Sequence, residues 1–272
     1  MAILHKCIAL AAVLLLTACQ AVNTTGSSAV GVDRKQYMFS MLSTQEINQS
    51  YAQSYQDMLK QANAQGKLDT SSNDAKRLQR IAQRLVAQAG YFRPDAAQWD
   101  WQVSLIKSPE LNASCGPGGK IVFFSGIITK LQLTDDEIAA VMGHEIAHAL
   151  REHSREAMSK AYGIEMAKLG LGVVLGVSQE TMQIADTAVQ YGMTLPNSRG
   201  AETEADLLGI ELAARAGYNP NAAISLWRKM EQVSQGAPAE FMSTHPSSST
   251  RISTLQANIP KVMPLYERAH QR

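Results

Sequence analysis

The chain has 272 residues, of which 45% are hydrophobic and 18% charged, a composition typical of a globular protein with an ordinary core. It carries 25 lysines and arginines against 24 aspartates and glutamates, a formal net charge of +1. This balance lacks the basic excess of a nucleic-acid-binding domain, so we expect no nucleic-acid partner.

Residues 1–19 have the pattern of a secretory signal. A weakly positive start precedes an apolar stretch, 8–16, that is too short to span a bilayer. The segment ends in Leu16-Thr17-Ala18-Cys19, which resembles a bacterial lipobox; the alternative is an ordinary signal peptide with an unrelated cysteine. We therefore predict a lipoprotein signal peptide, lipidation of Cys19 and attachment to a membrane through that lipid. Gln20, where an aspartate would favour the inner membrane, points by resemblance to the outer membrane of a Gram-negative bacterium.

The next segment, 20–42, begins rich in Asn, Thr, Ser and Gly, which predicts a flexible tether. The folded domain is then expected over 43–272. Within it Cys115 would have no cysteine to pair with, because Cys7 would leave with the signal peptide and Cys19 would carry the lipid. We interpret Cys115 as a small buried residue rather than a redox switch.

Hydrophobic spacing and turn residues predict the other elements. Before the central helix, which is described next, these are helices over 44–66 and 73–90, a strand over 99–106, an extended piece at 111–113, a turn at 116–119 and a strand over 121–124. After it comes an apolar helix at 169–177, which would line the core or a groove or else contact lipid. The remaining elements are helices over 201–216 and 220–232, a loop over 238–249 and a last helix over 250–259 that a proline stops. Helices, then strands, then helices predict an α+β fold that is mainly helical, with a small β-sheet.

The most informative motif is His144-Glu145-Ile146-Ala147-His148. Residues four apart share a helix face, so both imidazoles can reach one metal ion while Glu145 takes a proton from a water on that ion. Thr134 and Glu137 form a capping box, which predicts a helix that continues unbroken to about residue 162. The alternative is two core histidines and a chance glutamate, which the cap and the downstream acidic motif disfavour.

A catalytic zinc usually has three protein ligands. The candidates for the third are His153, Glu202, Glu204, Glu211 and His245. On a continuous helix His153 lies roughly 140° from the face of the motif histidines, so it is expected at the surface or behind the site. Glu202 opens a later helix and shares a face with Asp206, so it can bind the metal while Asp206 orients a ligand histidine; Glu204 points roughly 200° away. Standing alone, Glu202 would be a solvated acid at a helix start.

Three motifs in order resemble the M48 metallopeptidases over roughly residues 70–260. They are His144-Glu145-x-x-His148, Ser198-Arg199-x-x-Glu202-x-x-Ala205-Asp206 and Thr244-His245-Pro246-x-x-x-x-Arg251-Ile252. The resemblance, closest to small lipid-anchored periplasmic members, implies a zincin-type domain whose motif helix packs beside the sheet. It also implies one Zn²⁺ per chain held by His144, His148 and Glu202, with Glu145 as base.

The resemblance further implies roles for four other residues. Asn112 and Ala113 would lie on an edge strand that binds the substrate backbone by strand addition. His245 would lie near the zinc, either stabilising the oxyanion or binding as a fourth ligand in a closed state. Arg251 would hold that loop or bind a substrate carbonyl.

We therefore expect a zinc-dependent endopeptidase on the periplasmic face of the outer membrane, acting on misfolded or misassembled envelope proteins. One alternative is a lipoprotein chaperone or assembly factor whose zinc site is mostly closed by His245. Another is a scaffold with a structural zinc, against which Glu145 argues, because a four-ligand structural site needs no base.

Overall fold

The computed structural model describes residues 19–40, 42–175, 197–233, 240–245 and 249–271. The signal peptide is predicted over 1–19, and residues 1–18 of it lie outside the described residues, so it stays a prediction. The described strands are β1 (Cys19–Val22), β2 (Gln36–Phe39), β3 (Leu68–Asp69), β4 (Gln102–Ile106), β5 (Ala113–Gly116) and β6 (Lys120–Phe124). The described helices are α1 (Thr44–Ala64), α2 (Asn73–Phe92), α3 (Ser125–Lys130), α4 (Asp135–Leu150), α5 (His153–Leu175), α6 (Arg199–Arg215), α7 (Ala222–Val233), α8 (Glu240–Thr244) and α9 (Ser249–His270), with a 3₁₀ turn at Pro94–Gln98.

Side-chain caps set the start of four helices. In each, a serine or threonine hydroxyl accepts a hydrogen bond from a backbone N–H of the first turn, which would otherwise have no partner. The capping residues are Ser43 for α1, Ser72 for α2, Thr134 for α4 and Ser198 for α6. Thr134 forms the expected capping box with Glu137, whose side chain accepts from the Thr134 N–H at 2.9 Å.

A four-stranded sheet lies beside the central helix α4, in the order β3-β4-β6-β5. β4 and β6 are parallel, and the two outer strands pair antiparallel to them. Because β5 pairs only with β6 among the described strands, its other side is an edge, and this edge strand packs along α4. α4 itself is buried from Glu137 to Leu150 between the sheet, α2 and α6. The expected mainly helical α+β fold is confirmed.

The segment from 20 to 42 is not the free tether that its composition predicts. β1 and β2 form an antiparallel pair, with Cys19 opposite Phe39. Between them the Gly26 N–H donates to the Phe92 carbonyl at 2.7 Å, and Met38 is fully buried. Burial of its few apolar residues and bonds to distant helices fix this stretch, so ordered chain begins before residue 43.

The motif helix also ends earlier than expected. α4 ends at Leu150, and Glu152 has a left-handed backbone with φ of 49° before α5 begins at His153. Non-glycine residues rarely adopt this conformation. Glu152 is held there by Arg93 at 2.6 Å and by Arg155 at 2.9 Å. These ion pairs come from distant sequence or from the next helix, so the local pattern does not reveal the break.

Two further expectations near the C-terminus are wrong. The loop expected over 238–249 contains the short helix α8, and α9 continues through Pro260 and Pro264. Both prolines face solvent, while the apolar residues Leu255, Ile259 and Val262 are buried on the inner face. Packing of that face against α6 maintains the helix although proline removes a backbone donor. Within the described residues, no helix is long and apolar enough to span a membrane.

Candidate metal centre

α4 presents His144 and His148 on one face, as the spacing predicts. Both side chains are buried, with relative exposures of 4% and 7%. Burial lowers the pKa of His148 well below its usual value, which keeps it as the neutral imidazole that binds metals. For His144 burial also opposes the charge, but the nearby Asp206 and Glu202 outweigh it and raise the pKa to about 9. The site around His144 therefore favours positive charge.

α6 brings Glu202 and Asp206 to the same place because it crosses α4 at two glycines. A Cβ on Gly209 would lie 2.9 Å from the His144 backbone nitrogen, and a Cβ on Gly143 would lie 2.9 Å from the Gly209 carbonyl oxygen. Only glycine at these positions lets the two backbones touch. This close crossing sets the reach from the carboxylates to the histidines.

Four ligand atoms converge in the space between these helices, one each from His144, His148, Glu202 and His245, all within 4.8 Å of one another. The His144 Nε2 atom lies 3.1 Å from His148 Nε2 and 3.2 Å from His245 Nδ1. Glu202 oxygens lie 3.3 Å from His148 Nε2 and 3.1 Å from His245 Nδ1. Four ligands placed tetrahedrally at 2.0–2.1 Å from a zinc ion are about 3.3–3.4 Å apart. The nitrogen and oxygen donors therefore fit a tetrahedral cation.

Asp206 and Arg251 support this cluster from behind. The Asp206 carboxylate lies 3.0 Å from His144 Nδ1, as expected of a residue that orients a ligand. Arg251 donates two hydrogen bonds to Asp206, at 2.7 and 2.6 Å, and its Nη1 lies 2.7 Å from Glu202. Its guanidinium also lies 3.6 Å from the Trp227 ring centroid. Arg251 is thus engaged with the carboxylates of the site itself.

Glu145 lies beside the ligand cluster and is 3% exposed. Its Oε1 atom has no hydrogen-bond partner among the described residues and lies 3.5 Å from His245 Nε2. Burial raises the pKa of Glu145, although the nearby His245 and His144 oppose the shift. A buried carboxylate with an unused oxygen has the chemistry of a proton acceptor.

The pKa of Glu202 moves the opposite way. Burial works against its charge, but contacts with His144, His148 and His245 outweigh burial and hold the pKa far below its usual value. The permanent charge suits a metal ligand.

The segment 240–245 carries His245 over the cluster. The His245 ring stacks on Phe241 with ring centroids 4.4 Å apart. The Phe241 N–H donates to the Leu111 carbonyl at 3.1 Å, and the Asn197 N–H donates to the Thr244 carbonyl at 3.0 Å. The segment is therefore anchored on one side to the chain before β5 and on the other to the chain before α6.

A cleft of about 240 Å³ runs from Glu145 and His245 along the edge strand. Its lining includes Asn112 and Ala113, together with Cys115, which is buried and free. Burial raises the pKa of the Cys115 thiol well above its usual value, which supports the interpretation of an inert buried residue.

Sequence reasoning missed the role of Tyr51 in this cleft. Tyr51 reaches the cleft from α1 and hydrogen-bonds Ser114. A Cβ on Gly116 would lie 1.8 Å from the Tyr51 ring, so the strand and the tyrosine are packed against each other. The buried stripe of α1 indicates a core position for Tyr51, but nothing local shows which strand it meets.

His153 is also placed differently from the helical projection. It is 3% exposed, and its Nδ1 lies 2.8 Å from His148 Nδ1. Of the two positions expected for it, at the surface or behind the site, the structure shows the second, because the left-handed Glu152 turns the chain and returns the imidazole to the back of the site. Glu204 faces away from the ligand cluster as predicted, and it contacts His153 Nε2 at 3.1 Å.

Comparison with known proteins agrees with this geometry. The profile of peptidase family M48 matches residues 72–259, which include every residue of the cluster. The chain is 33% identical over 184 residues to the mitochondrial metalloendopeptidase OMA1 of Schizosaccharomyces pombe, covering 67% of this chain and 52% of that protein. It is 26% identical over 251 residues to the metalloprotease LoiP of Escherichia coli, covering 90% and 92%. It is 27% identical over 196 residues to the beta-barrel assembly-enhancing protease of Yersinia pestis, covering 68% and 38%.

The chain spans about half or less of the length of the OMA1 proteins it matches. The family profile, in contrast, covers more than half of this chain and contains both helices that carry the convergent ligands. The match covers the helix crossing and the ligand cluster, and it shows that the chain belongs to peptidase family M48.

Proposed function

We propose that the chain is a zinc-dependent endopeptidase, with one Zn²⁺ held by His144, His148 and Glu202. The observation that carries the proposal is the convergence of these three buried ligands beside the unpartnered oxygen of Glu145, at the end of a cleft that opens along a strand edge. Two imidazoles and a carboxylate are a donor set that suits zinc. The protease names of the relatives support the activity.

The bound metal would supply a water of lowered pKa and polarise the substrate carbonyl. Glu145 would take the proton of that water and later donate it to the leaving amine. Its burial suits both steps, because a carboxyl with a raised pKa accepts and returns a proton more evenly than an exposed one. Asp206 would keep His144 in the required orientation, and Arg251 would hold Asp206 and Glu202 in place rather than bind a substrate carbonyl.

An extended peptide would bind along β5. Strand addition uses backbone hydrogen bonds and so tolerates many sequences, which is what an enzyme acting on unfolded proteins needs. Asn112 and Ala113 stand at the start of that edge, and the cleft beside them would receive substrate side chains. The substrate class proposed here is therefore extended segments of protein chains.

The experiment that tests the activity is cleavage of casein by the purified chain, with zinc and with a chelator, beside Glu145→Gln. We expect chelator-sensitive cleavage by the native chain and a loss of about 10²–10⁴-fold in the variant, since it lacks the base. The variant should bind one zinc, because Glu145 is not among the ligands. Glu231→Gln, on the exposed face of α7, serves as the surface control. Full activity of Glu145→Gln would exclude its role as base.

A second candidate function, a chaperone or assembly factor with a self-closed metal site, is favoured by one observation. The His245 Nδ1 atom lies 3.1–3.2 Å from Glu202 and His144, at the fourth corner of the cluster. If His245 closes the site, His245→Ala should cleave casein faster than the native chain, because the water position becomes free. If His245 stabilises the oxyanion, the same variant should be slower by about 10²–10³-fold. Equal rates would exclude both roles.

We further propose that the protein is anchored by a lipid on Cys19 to the periplasmic face of the outer membrane, where it degrades misfolded or misassembled envelope proteins. The support is the signal pattern of residues 1–19 and the likeness to an enterobacterial beta-barrel assembly-enhancing protease. The test is membrane fractionation with radiolabelled palmitate. The native chain should be labelled and sediment with the outer membrane, whereas Cys19→Ser should be unlabelled.

A further inference from the structure

Behind the candidate metal site, His153 lies between a metal-binding histidine and a carboxylate. Its Nδ1 is 2.8 Å from His148 Nδ1, and its Nε2 is 3.1 Å from a Glu204 oxygen. All three side chains are buried or nearly so, with exposures of 1% to 9%. Both nitrogens of His153 are therefore committed, and neither is committed to the metal.

The direction of these hydrogen bonds follows from the chemistry of imidazole. If Nε2 of a neutral His148 binds the metal, its proton is on Nδ1, and that N–H donates to His153. The Nδ1 atom of His153 must then be an acceptor, so its own proton is on Nε2 and is donated to Glu204. One arrangement of protons satisfies all the contacts.

Two guanidinium groups keep Glu204 charged. Arg151 donates from Nε at 2.9 Å, and Arg34 contacts the same carboxylate from the N-terminal segment. Arg151 has no exposed surface. With this support, Glu204 can accept the His153 N–H and hold the ring in one orientation.

The backbone also indicates that the position of His153 is specified. On a regular helix it would face away from His148. The left-handed Glu152 ends α4 and begins α5 so that the His153 ring returns to the site. A local conformation this uncommon persists only where surrounding contacts fix it, here through Arg93 and Arg155.

We propose that His153 and Glu204 are positioning residues for the metal: they fix the tautomer and orientation of His148, as Asp206 does for His144. This inference rests on the proposed zinc site. The two ligand histidines would then be supported unequally, His144 directly by a carboxylate and His148 through an intervening imidazole. Partners of this kind raise the basicity of the ligand and pre-organise the ring.

The test is zinc affinity of the full chain, measured by competition with a chromogenic chelator. His153→Leu fills the space behind His148 with an apolar side chain but removes both hydrogen bonds, so this variant should bind zinc about 10–100-fold more weakly. His153→Gln can accept from His148 and donate to Glu204, so it should recover most of that affinity. Glu156→Gln is the matched control, because Glu156 pairs with Arg34 in the same ionic cluster without contacting either histidine.

The outcomes separate this inference from the proposed function. If the native chain binds zinc no better than His148→Ala, the metal site itself is wrong. If the native chain binds zinc and His153→Leu binds it equally well, only the positioning role is overturned. Equal weakening by His153→Leu and Glu156→Gln would also overturn it, since the effect would then come from general loss of packing.

A second measurement decides the matter if His153→Leu does not fold. The zinc-loaded full chain, labelled with ¹⁵N in the histidine rings, should show His148 protonated at Nδ1 and His153 protonated only at Nε2. Protonation of His153 at Nδ1 would overturn the inference, because that proton would leave no acceptor for His148.

Discussion

Two glutamates within one buried site have opposite electrostatic environments. Glu202 contacts three histidines, which outweigh burial and hold its pKa far below the usual range, and it also pairs with Arg251. Glu145 lies beside the same ligand cluster, but there the effect of burial is larger than that of the histidines and raises its pKa. When neighbours push two carboxyl groups apart in this way, the groups can take different roles. The permanently charged one is suited to bind a cation and the other to transfer protons.

Loss of Arg251 should lower the stability of the fold substantially, because it is buried and paired with two carboxylates of the site. Replacing it with methionine would keep apolar contact with Trp227 but leave the buried Asp206 without its two hydrogen bonds. Removal of one partner from a buried ion pair typically costs about 3–5 kcal/mol. We expect a loss of this order for Arg251→Met in urea unfolding of the metal-free chain.

The control is Lys60→Met, which breaks a 3.2 Å ion pair with Asp57 at the surface. The Lys60 and Asp57 side chains are 74% and 59% exposed, so solvent screens their attraction and little change is expected. Equal losses for the two variants would show that Arg251 is not a buried structural partner.

The site depends on the close crossing of α4 and α6. α4 supplies His144 and His148, and α6 supplies Glu202 and Asp206, so the distance between the helices sets the distance from the two histidines to the carboxylates. Gly143 and Gly209 determine that distance, because their backbones are in contact.

Gly209→Ala should therefore weaken metal binding as well as the fold. The added methyl group would lie 2.9 Å from a backbone nitrogen of α4, which a rotamer change cannot relieve. Overpacking of this kind typically costs about 1–3 kcal/mol. Thermal unfolding and chelator competition measure the two effects.

Gly200→Ala is the control on the same helix. Its nearest neighbour would be the Ser198 hydroxyl at 3.9 Å, and the position is exposed, so the variant should be neutral or slightly stabilising. If Gly209→Ala bound metal as tightly as Gly200→Ala, the helix crossing would not control ligand spacing.

The parts of this fold that the sequence predicts are those set by local patterns. The capping box at Thr134 and the paired histidines lie within a few residues of one another, and the structure confirms that a helix begins there and carries both histidines. The structure also confirms the helix that carries Glu202. The parts it does not predict depend on distant partners. Glu152 turns the chain because it forms ion pairs that include Arg93. The helix α9 continues through its two prolines because the opposite face of the helix is buried.

The N-terminal segment 19–39 joins elements that are far apart in sequence. Its backbone bonds Phe92 at the end of α2 and the Glu211 carboxylate of α6, both at 2.7 Å. Gln36, fully buried, donates to the Arg151 carbonyl at 2.5 Å. Polar contacts rather than a large apolar core fix this segment, which is why its composition resembles that of a linker.

Arg34 joins this segment to Glu156 and Glu204, and this contact should make the segment sensitive to acid. Burial works against the charge of both carboxyls, but hydrogen bonds from Arg34, Lys160 and His153 outweigh it and lower each pKa from 4.5 to about 2. A carboxyl whose pKa is depressed in the folded state contributes stability that is complete above about pH 4.5 and lost as the pH falls towards 2.

The free energy of unfolding should therefore fall steeply between about pH 4.5 and 2, and Glu156→Gln should flatten that fall. The neutral variant begins less stable at pH 7, because it lacks the pairing with Arg34, but it has no proton to take up at this position. Urea unfolding at several pH values measures the slope, and metal-free protein is used so that acid release of the ion does not contribute.

Parallel curves for the two proteins would mean that Glu156 is equally easy to protonate in the folded and unfolded chains, and that Arg34 does not secure the N-terminal segment by charge. A shallower curve for the variant would show that the same ion pairs that replace a linker with ordered chain also set the acid limit of the fold.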